Sequence, residues 1–345
     1  MSASGGTSPE AAVDPQPLLA VDGLSVDFAT EHGWATVVDD VSFSIAADEA
    51  VGLVGESGSG KSVTAMSILR LIPTPPGRIT RGSIHFAGQG LLALPERAIR
   101  DIRGRDIAMI FQEPMTSLNP VFTIGHQIAE TVRRHRGGSR QAAWQRAIEV
   151  LDLVGIPSAD RRVHDYPHQF SGGMAQRAMI AMALSCRPRL LIADEPTTAL
   201  DVTIQAMVLE LLRDLQAELE MSVLLVTHDL GVVADFCDRV LVMYAGQLVE
   251  TAPAMPLFDQ PLHPYTEGLL ASMPQTDVLD ERGELWSIPG VVPAPWAMPG
   301  GCRFHPRCAY VEIGRCTTKP LGMAEGDGHG TRCVRARELE LRGAT

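Results

Sequence analysis

The sequence predicts an α/β fold in which a mixed core sheet is accompanied by an antiparallel β subdomain and a helical subdomain. A small, loop-rich C-terminal domain is expected to follow. Apolar residues alternate loosely from Leu18 to Ile45, which indicates antiparallel strands joined at the turn "TEHG". Two continuous apolar runs, "LLIAD" from Leu190 and "VLLVTH" from Val223, are typical of parallel strands buried on both faces. Together these patterns predict a sheet of mixed direction.

The middle and the end of the chain differ in pattern. Residues from about 95 to 180 are mostly helical in pattern, whereas proline becomes frequent after about residue 255. We therefore expect a main domain over residues 17–255 and a C-terminal extension over residues 256–345. Residues 1–16 are rich in small residues, proline and acids and contain no apolar segment. They are expected to form a disordered tail rather than a signal peptide.

Composition limits the partners and the compartment. The formal net charge of −12 argues against nucleic acid as the main partner, because phosphate binding favours a basic surface. Apolar runs such as "MSVLLV" from Met221 are much shorter than the ~18–20 residues of a membrane span. With no secretory signal either, the sequence predicts a cytosolic protein, and persistent disulfides are rare in the cytosol.

The stretch "GESGSGKS", from Gly55 to Ser62, follows the predicted strand "AVGLV" and precedes a helical pattern. It fits G-x-x-x-x-G-K-[ST], in which glycines let backbone N–H groups face phosphate oxygens. Lys61 would reach the terminal phosphates, and Ser62 would offer its hydroxyl to Mg²⁺. A chance glycine-rich turn is a weaker interpretation, because the strand and the helix flank the loop as the motif requires. The sequence therefore predicts a phosphate-binding loop.

Two further stretches fit phosphate chemistry. Asp194 ends the apolar run from Leu190, and an aspartate at the end of a strand beside such a loop can hold Mg²⁺ through water. The next residue, Glu195, can polarise an attacking water. Ser171 and the two glycines after it begin a helical pattern, where free N–H groups can bind an anion. Alone, each stretch could be an ordinary turn or helix cap, and the phosphate-binding loop favours the functional interpretation.

Four of the six cysteines lie near the C-terminus, with gaps of five, seven and sixteen residues between them: Cys302, Cys308, Cys316 and Cys333. Structural zinc favours closer C-x₂₋₄-C pairs, whereas a [4Fe–4S] cluster accepts more varied spacing. Unligated thiols in a loose tail are the third interpretation. A metal would stabilise a segment that is poor in apolar residues. Cys186 and Cys237 lie in apolar or helical contexts and are expected to be small buried residues.

The order of these motifs resembles that of ABC transporter ATP-binding subunits, which have a P-loop NTPase fold of the ABC type. The resemblance covers roughly residues 18–255 and rests on six stretches. They are the phosphate loop Gly55–Ser62, the Q-loop "FQEP" with Gln112, the signature "SGGM" from Ser171, "LLIADE", the D-loop "TALD" ending at Asp201, and "VTHD" with His228.

The resemblance implies a head-to-tail pair of cassettes with ATP between the phosphate loop of one and the signature of the other. Glu195, His228 and Gln112 would be the catalytic residues, with Glu195 as general base. Ser62, Gln112 and Asp194 would hold Mg²⁺. The nucleotide would be bound by Phe28, Gly55, Ser57, Gly58, Ser59, Gly60, Lys61, Ser62, Gln112, Asp194, Ser171, Gly172, Gly173 and Asp201. In this set Phe28 would stack on adenine, and the three signature residues would serve the partner's nucleotide.

Other stretches resemble the oligopeptide/dipeptide importer branch, in particular its D-type subunit: "QEPMTSLNP", "ADEPTTALDVTIQA", "HPYTEGLLASMP" and "GCRFHPRC". Phe170 and Met174 replace the general Leu and Gln of the signature, as in that branch, whereas Ala175 departs from its usual Arg. Because Met174 donates no side-chain hydrogen bond, the fifth position is not expected to contact phosphate. Members of the branch carry a four-cysteine iron–sulfur cluster in this region, so the resemblance favours [4Fe–4S] over zinc or free thiols.

The resemblance implies an ATPase that energises uptake of peptides from a peripheral position on the cytoplasmic face of the inner membrane. Its expected partners are a second, paralogous ATPase subunit, two transmembrane permease subunits and an extracellular or periplasmic substrate-binding protein, with no nucleic acid. Nickel importers share the same features and are the alternative. A soluble ABC ATPase of DNA repair or translation is disfavoured by the single cassette and the acidic charge, and an iron–sulfur assembly ATPase by the cysteines' C-terminal position.

Overall fold

The structure is a computed structural model that describes residues 16–197, 202–273, 287–319, 321–326 and 328–344. Most of the expected tail, residues 1–15, and the D-loop residue Asp201 lie outside the described residues. No helix in the described part of the chain is both long and apolar enough to cross a membrane.

The described residues of the first half of the chain form six strands and six helices. The strands are β1 (Leu19–Thr30), β2 (Gly33–Ile45), β3 (Ala50–Val54), β4 (Gly77–Phe86), β5 (Gln89–Gly90) and β6 (Ile107–Ile110). The helices are α1 (Lys61–Ile68), α2 (Glu96–Ile102), α3 (Pro114–Ser117), α4 (Ile124–Arg136), α5 (Arg140–Leu153) and α6 (Ala159–Arg162).

The second half begins with the helix that follows the signature. Its helices are α7 (Gly172–Leu184), α8 (Val202–Leu219), α9 (Leu230–Phe236), α10 (Ala254–Asp259) and α11 (Pro264–Ala271). Its strands are β7 (Leu190–Asp194), β8 (Ser222–Thr227), β9 (Arg239–Tyr244), β10 (Gln247–Pro253), β11 (Ala324–Gly326) and β12 (His329–Thr331). Single 3₁₀ turns occur at Pro167–Gln169 and His305–Arg307.

Two sheets organise the described residues. The smaller sheet is antiparallel, with the order β2-β1-β4-β5, and its first pair turns at the predicted "TEHG". The larger sheet has the order β11-β12-β10-β9-β3-β8-β7-β6. Strands β6, β7, β8, β3 and β9 run parallel, whereas β10, β12 and β11 are antiparallel to their neighbours. The predicted mixed α/β fold is therefore confirmed.

The parallel strands are buried on both faces, as their continuous apolar sequences predict. In β8, Val223 and Leu225 pack into the core that contains the helical region. Their neighbours Leu224 and Val226 pack into the core shared with the smaller sheet. Because parallel strands end at the same edge of a sheet, the polar residues after β3, β7 and β8 come together there.

The C-terminal region is more closely joined to the larger sheet than its proline-rich sequence indicates. Strand β12 pairs with β10, so this region extends the sheet by a hairpin. At the same place the carboxylate of Glu250, which is 0% exposed, accepts hydrogen bonds from the backbone N–H of Leu262 and His263 at 2.6 and 2.9 Å. His329 Nε2 lies 2.7 Å from the same carboxylate. This buried polar cluster connects β10 to the segment that precedes α11 and to β12.

Candidate nucleotide-binding site

The loop between β3 and α1 curls because its glycines adopt conformations that side chains disfavour. Gly55, Gly58 and Gly60 have φ values of 151°, 79° and 103°. A Cβ at Gly55 would overlap the carbonyl oxygen of Met243 on the neighbouring strand, so glycine is needed there for close approach as well. The predicted phosphate-binding loop thus has the geometry that exposes backbone N–H groups to an anion.

Lys61, the first residue of α1, is buried within this loop. The residue is 5% exposed, and Nζ donates hydrogen bonds to the carbonyl oxygens of Gly55 at 2.6 Å and Glu56 at 3.0 Å. Burial lowers the pKa of Lys61, an effect opposed by the nearby carboxylates of Glu195 and Asp194. A phosphate in the cleft would add to the negative charge that stabilises this buried ammonium.

Ser62 and Asp194 meet across the interface between α1 and β7. Ser62 Oγ donates a hydrogen bond of 3.0 Å to Asp194 Oδ1. Burial raises the pKa of Asp194, whereas the hydrogen bond from Ser62 lowers it. A hydroxyl and a carboxylate at this separation are hard oxygen donors of the kind that Mg²⁺ prefers, so the residues present fit that ion.

Two other predicted site residues contact the carboxylate of Glu195. Gln112 Nε2 donates a hydrogen bond of 3.1 Å to Glu195 Oε2, and His228 Nδ1 lies 3.3 Å from Oε1. The backbone of Glu195 has a positive φ of 48°, and its N–H donates to the carbonyl of Val226 at 2.8 Å. The end of β7 is therefore fixed by β8 while the carboxylate is held between two loops.

These groups surround one open cleft with a volume of about 660 Å³, which is within the usual range for small-molecule sites. The predicted residues that line it are Gly55, Ser57, Gly58, Ser59, Gly60, Lys61, Ser62, Gln112, Glu195 and His228. Asp194 joins them through Ser62. The structure therefore brings together most of the residues that the motifs singled out.

Phe28 is placed differently. It packs beside the core shared by the two sheets, next to Gly77, where an added Cβ would lie 2.9 Å from its ring. Val37, rather than Phe28, lines the cleft near the loop. The β1–β2 pairing shifts register between Val26 and Asp27, and this shift leaves Val37 of β2 without a paired residue in β1. The role of Phe28 in stacking on adenine stays a prediction.

The signature residues begin α7 and are not among the described residues that line this cleft. Ser171 Oγ caps the helix by accepting a hydrogen bond from the N–H of Met174 at 3.4 Å. A Cβ added at Gly172 would meet no atom within 4 Å. The start of α7 is therefore accessible on the side of Gly172, where there is space for another molecule.

The four C-terminal cysteines line a single narrow pocket with His263, Phe304 and His305. Cys302 N–H donates to the carbonyl of Cys316 at 2.8 Å, and Gly301, with φ 72°, permits this approach. Burial raises the pKa of the Cys302 and Cys333 thiols to about 11. Cys186 and Cys237 are buried elsewhere, which confirms the prediction for them.

His263 contributes an unusual polar atom to this pocket. Its Nδ1 accepts a hydrogen bond from the N–H of Tyr265 at 3.1 Å, so the neutral ring carries its proton on Nε2. Burial lowers the pKa of His263 to about 3, which keeps the ring neutral. Nε2 is buried and has no hydrogen-bond partner within the described residues. In the same residues, no group of three or more His, Cys, Asp or Glu side chains is arranged to hold a metal ion.

Several residues near the cleft were not identified from the motifs. Leu269 and Ser272, at the end of α11, line it, although they belong to the C-terminal region. Tyr265 accepts a hydrogen bond from the N–H of Glu56 at 2.8 Å through its hydroxyl. Arg307 forms an ion pair with Glu56 at 2.7 Å. The stretches "HPYTEGLLASMP" and "GCRFHPRC" are the sequence signals that contain these residues.

Comparisons with known proteins agree with this arrangement. The model of the ABC transporter family matches residues 38–198. The model described as the C-terminal region of oligopeptide/dipeptide transporters matches residues 249–316, which include α11 and three of the four clustered cysteines. The two matches fall on the two parts of the chain that meet at the cleft.

Among similar proteins, one of Brucella abortus (strain 2308) named as a peptide import ATP-binding protein is 54% identical over 92% of this chain and 94% of its own length. A second of the same description from this organism is 53% identical over 94% of this chain and 98% of its own. A solved dimer of the ATP-binding cassette MJ0796, bound to ADP and Pi after hydrolysis, aligns with a TM-score of 0.62 at 27% identity. It covers 68% of this chain and 98% of that one. The chain belongs to the ABC transporter family and carries the C-terminal region of its oligopeptide/dipeptide transporters.

Proposed function

We propose that this chain is the ATP-hydrolysing subunit of an ABC importer that energises uptake of di- and oligopeptides. The observation that carries the proposal is the convergence of Lys61, the Ser62–Asp194 pair and Glu195 on one cleft. The peptide substrate is supported by the C-terminal region and by the names of the similar proteins. The subunit would bind, from the cytoplasmic face of the inner membrane, to two permease subunits that work with a substrate-binding protein.

The residues around the cleft have the chemistry that ATP hydrolysis requires. The loop N–H groups and Lys61 would bind the β- and γ-phosphates. Ser62, Asp194 and Gln112 would hold Mg²⁺, which when bound would neutralise charge on the phosphate oxygens. Glu195 accepts a proton from the water that attacks the γ-phosphorus, and the leaving oxygen departs with ADP. His228 orients Glu195 and contacts the γ-phosphate. Gln112 donates a hydrogen bond to the carboxylate of Glu195, so a movement of the helical subdomain that shifts Gln112 would also shift Glu195.

A complete site would need a second cassette. Ser171, Gly172 and Gly173 lie away from this chain's own cleft, so they would bind the nucleotide held by the partner, and Asp201 would lie at the same interface. A cassette of known structure forms dimers, which supports such pairing. We propose a paralogous subunit as the partner.

The test is uptake by cells that lack the chromosomal copy of this chain and carry wild-type or Glu195→Gln protein on a plasmid. Wild-type protein should restore uptake of a labelled oligopeptide, whereas Glu195→Gln should restore none while still binding ATP. General bases contribute roughly 10²–10⁴-fold to rate, so ATP turnover should fall by at least about 100-fold. Restoration of nickel uptake instead of peptide uptake would contradict the substrate assignment.

We further propose that Cys302, Cys308, Cys316 and Cys333 hold a [4Fe–4S] cluster. Their location around one pocket supports this, as does the Nε2–H of His263, which could donate a hydrogen bond to a cluster sulfur. The four thiolates would each bind a different iron, so they need not converge as the ligands of one ion do. When bound, the cluster would fix the loops of the C-terminal region.

Protein purified without oxygen should contain about four iron and four sulfide per chain if this is right. Cys308→Ser should lose most of the iron, whereas Cys237→Ser, which changes a buried thiol in the main domain, should keep it. Colourless wild-type protein without iron would contradict the cluster.

A further inference from the structure

The segment between Cys302 and Cys308 lies directly against the phosphate-binding loop. Arg307 donates two hydrogen bonds to the carboxylate of Glu56, at 2.7 Å from Nη1 and 3.0 Å from Nη2. The Arg307 side chain is 5% exposed and that of Glu56 30%, so the pair is largely shielded from water. Bidentate pairs of this kind restrict both distance and orientation. Glu56, the second residue of the loop, is therefore held in one position.

Aromatic packing fixes the segment that contains Arg307. Phe304, three residues earlier, has its ring centroid 5.2 Å from that of Tyr244 and 5.3 Å from that of Tyr265. Both tyrosines are 0% exposed. The Tyr265 hydroxyl accepts the hydrogen bond from the N–H of Glu56, so the backbone and the side chain of this residue are both bound by the C-terminal region.

A second arginine of the segment supports the loop from another side. Arg303 pairs with Asp39 of β2 at 2.5 Å and donates to the carbonyl of Ala245 at 2.5 Å. The next residue, Gly246, donates its N–H to the carbonyl of Ser59 at 2.8 Å. The loop is thus contacted at Glu56 by this segment and at Ser59 by the turn that Arg303 also contacts.

We infer that Arg307 is a positioning residue for nucleotide binding: through Glu56, the C-terminal region holds the phosphate-binding loop in the shape that receives ATP. The inference rests on the proposed binding of ATP in the cleft. Arg307 pairs with a carboxylate and donates to the carbonyl of Pro289 at 2.8 Å, so it is already engaged without any phosphate. It acts by fixing the loop and so makes ATP affinity dependent on the C-terminal region.

A purely electrostatic role of Glu56 and a positioning role predict opposite effects of Glu56→Ala on the affinity for ATP. Removal of a carboxylate beside a phosphate site should strengthen anion binding if only the Coulomb interaction changes. Glu56→Ala should weaken it if Glu56 is the point at which the loop is held. Arg307→Gln should weaken binding on either view. The direction of the Glu56→Ala effect therefore distinguishes the two.

The experiment measures the Kd of the full-length protein for a non-hydrolysable ATP analogue with Mg²⁺. Variants are Arg307→Gln, Arg307→Lys, Glu56→Ala and the double variant Arg307→Gln/Glu56→Ala. Arg315→Gln is the matched control, because Arg315 belongs to the same region, is 43% exposed and pairs with Glu338 rather than with the loop. Circular dichroism and thermal unfolding establish that each protein is folded.

We expect Arg307→Gln and Glu56→Ala each to weaken binding by about tenfold, within the roughly 5–150-fold that is usual for coupled sites. The double variant should bind no more weakly than either single variant, because both break one pair. Arg307→Lys keeps the charge without the planar fork and should lose part of the affinity. Arg315→Gln should bind as the wild type does.

A folded Arg307→Gln protein with the wild-type Kd overturns the inference, and so does a Glu56→Ala protein that binds more tightly. Additive losses in the double variant also contradict it. If Arg307→Gln does not fold, Glu56→Ala and Arg307→Lys decide by the same criteria. Wild-type protein that binds no nucleotide would contradict the proposed function itself, so the two failures are distinguishable.

Discussion

The hydroxyl of Ser62 lies 3.0 Å from Oδ1 of Asp194, although the two residues are 132 positions apart in the chain. Ser62 is the last residue of the phosphate-binding loop and lies in the first turn of α1, whereas Asp194 ends strand β7. Their meeting gives the cleft a pair of oxygen donors before any ion is bound. The same arrangement buries the carboxylate of Asp194, and burial disfavours its charged form.

Asp194→Asn should stabilise the ligand-free protein while it abolishes hydrolysis of MgATP. Burial raises the pKa of Asp194, so the folded chain binds this proton more tightly than the unfolded chain does. The contribution to stability is therefore present at acid pH and is lost as pH rises through the folded-state pKa. Asn avoids that loss, so the gain in thermal midpoint should be largest near neutral pH, at roughly 1–2 °C per 1 kcal/mol for a chain of this length.

The measurement is thermal unfolding of both proteins between pH 4 and pH 8, with and without MgATP. MgATP should raise the midpoint of the wild type more than that of Asp194→Asn, since bound ligand stabilises the folded state. A variant that is less stable than the wild type at neutral pH would contradict the account of burial.

Lys61→Ala should weaken ATP binding by roughly 10- to 100-fold, because hydrogen bonds to charged groups contribute about 1.5–3 kcal/mol. The chain provides a matched control, since Lys61 and Lys319 are its two lysines and Lys319 is exposed in the C-terminal region. Lys319→Ala should leave the Kd for ATP unchanged. Equal losses in the two variants would indicate a general effect of net charge.

Gly55→Ala should destabilise the fold far more than Gly58→Ala does. Both glycines have positive φ, which costs an alanine about 1–2 kcal/mol. At Gly55 the new Cβ would also overlap the carbonyl of Met243, whereas at Gly58 nothing lies within 4 Å. Urea unfolding should show an additional loss of about 1–3 kcal/mol for Gly55→Ala. Similar losses would mean that backbone strain alone matters.

Glu250→Ala should detach the C-terminal region from the larger sheet. The carboxylate is fully buried and accepts hydrogen bonds from two backbone N–H groups and the hydroxyl of Thr266, which would be left unpaired. We expect a loss of about 3 kcal/mol or more in the free energy of unfolding, together with faster proteolysis after residue 255. Glu340→Ala, at an exposed position of the same region, should do neither. Equal sensitivity of the two variants to protease would argue against Glu250 as the anchor.

Much of the cleft could be predicted because its parts are local. The glycines of the phosphate loop need positive φ values that other residues disfavour, and a strand and a helix on either side are apparent from apolar patterns. The ends of parallel strands share one edge, so Asp194, Glu195 and His228 could be expected near that loop. Val37 shows the limit, since it lines the cleft beside a register shift in the β1–β2 pair that no sequence pattern predicts.

The sequence by itself determined the mixed α/β fold, the phosphate-binding loop and the set of residues that could serve it, because short-range backbone preferences and apolar periodicity encode them. Only the tertiary structure decided that Arg307 contacts Glu56, 251 positions earlier, and that Cys302, Cys308, Cys316 and Cys333 line one pocket. Those contacts depend on how a proline-rich segment with little periodicity packs against Tyr244 and Tyr265. No local pattern specifies that packing, since it arises from burial shared among segments distant in the chain.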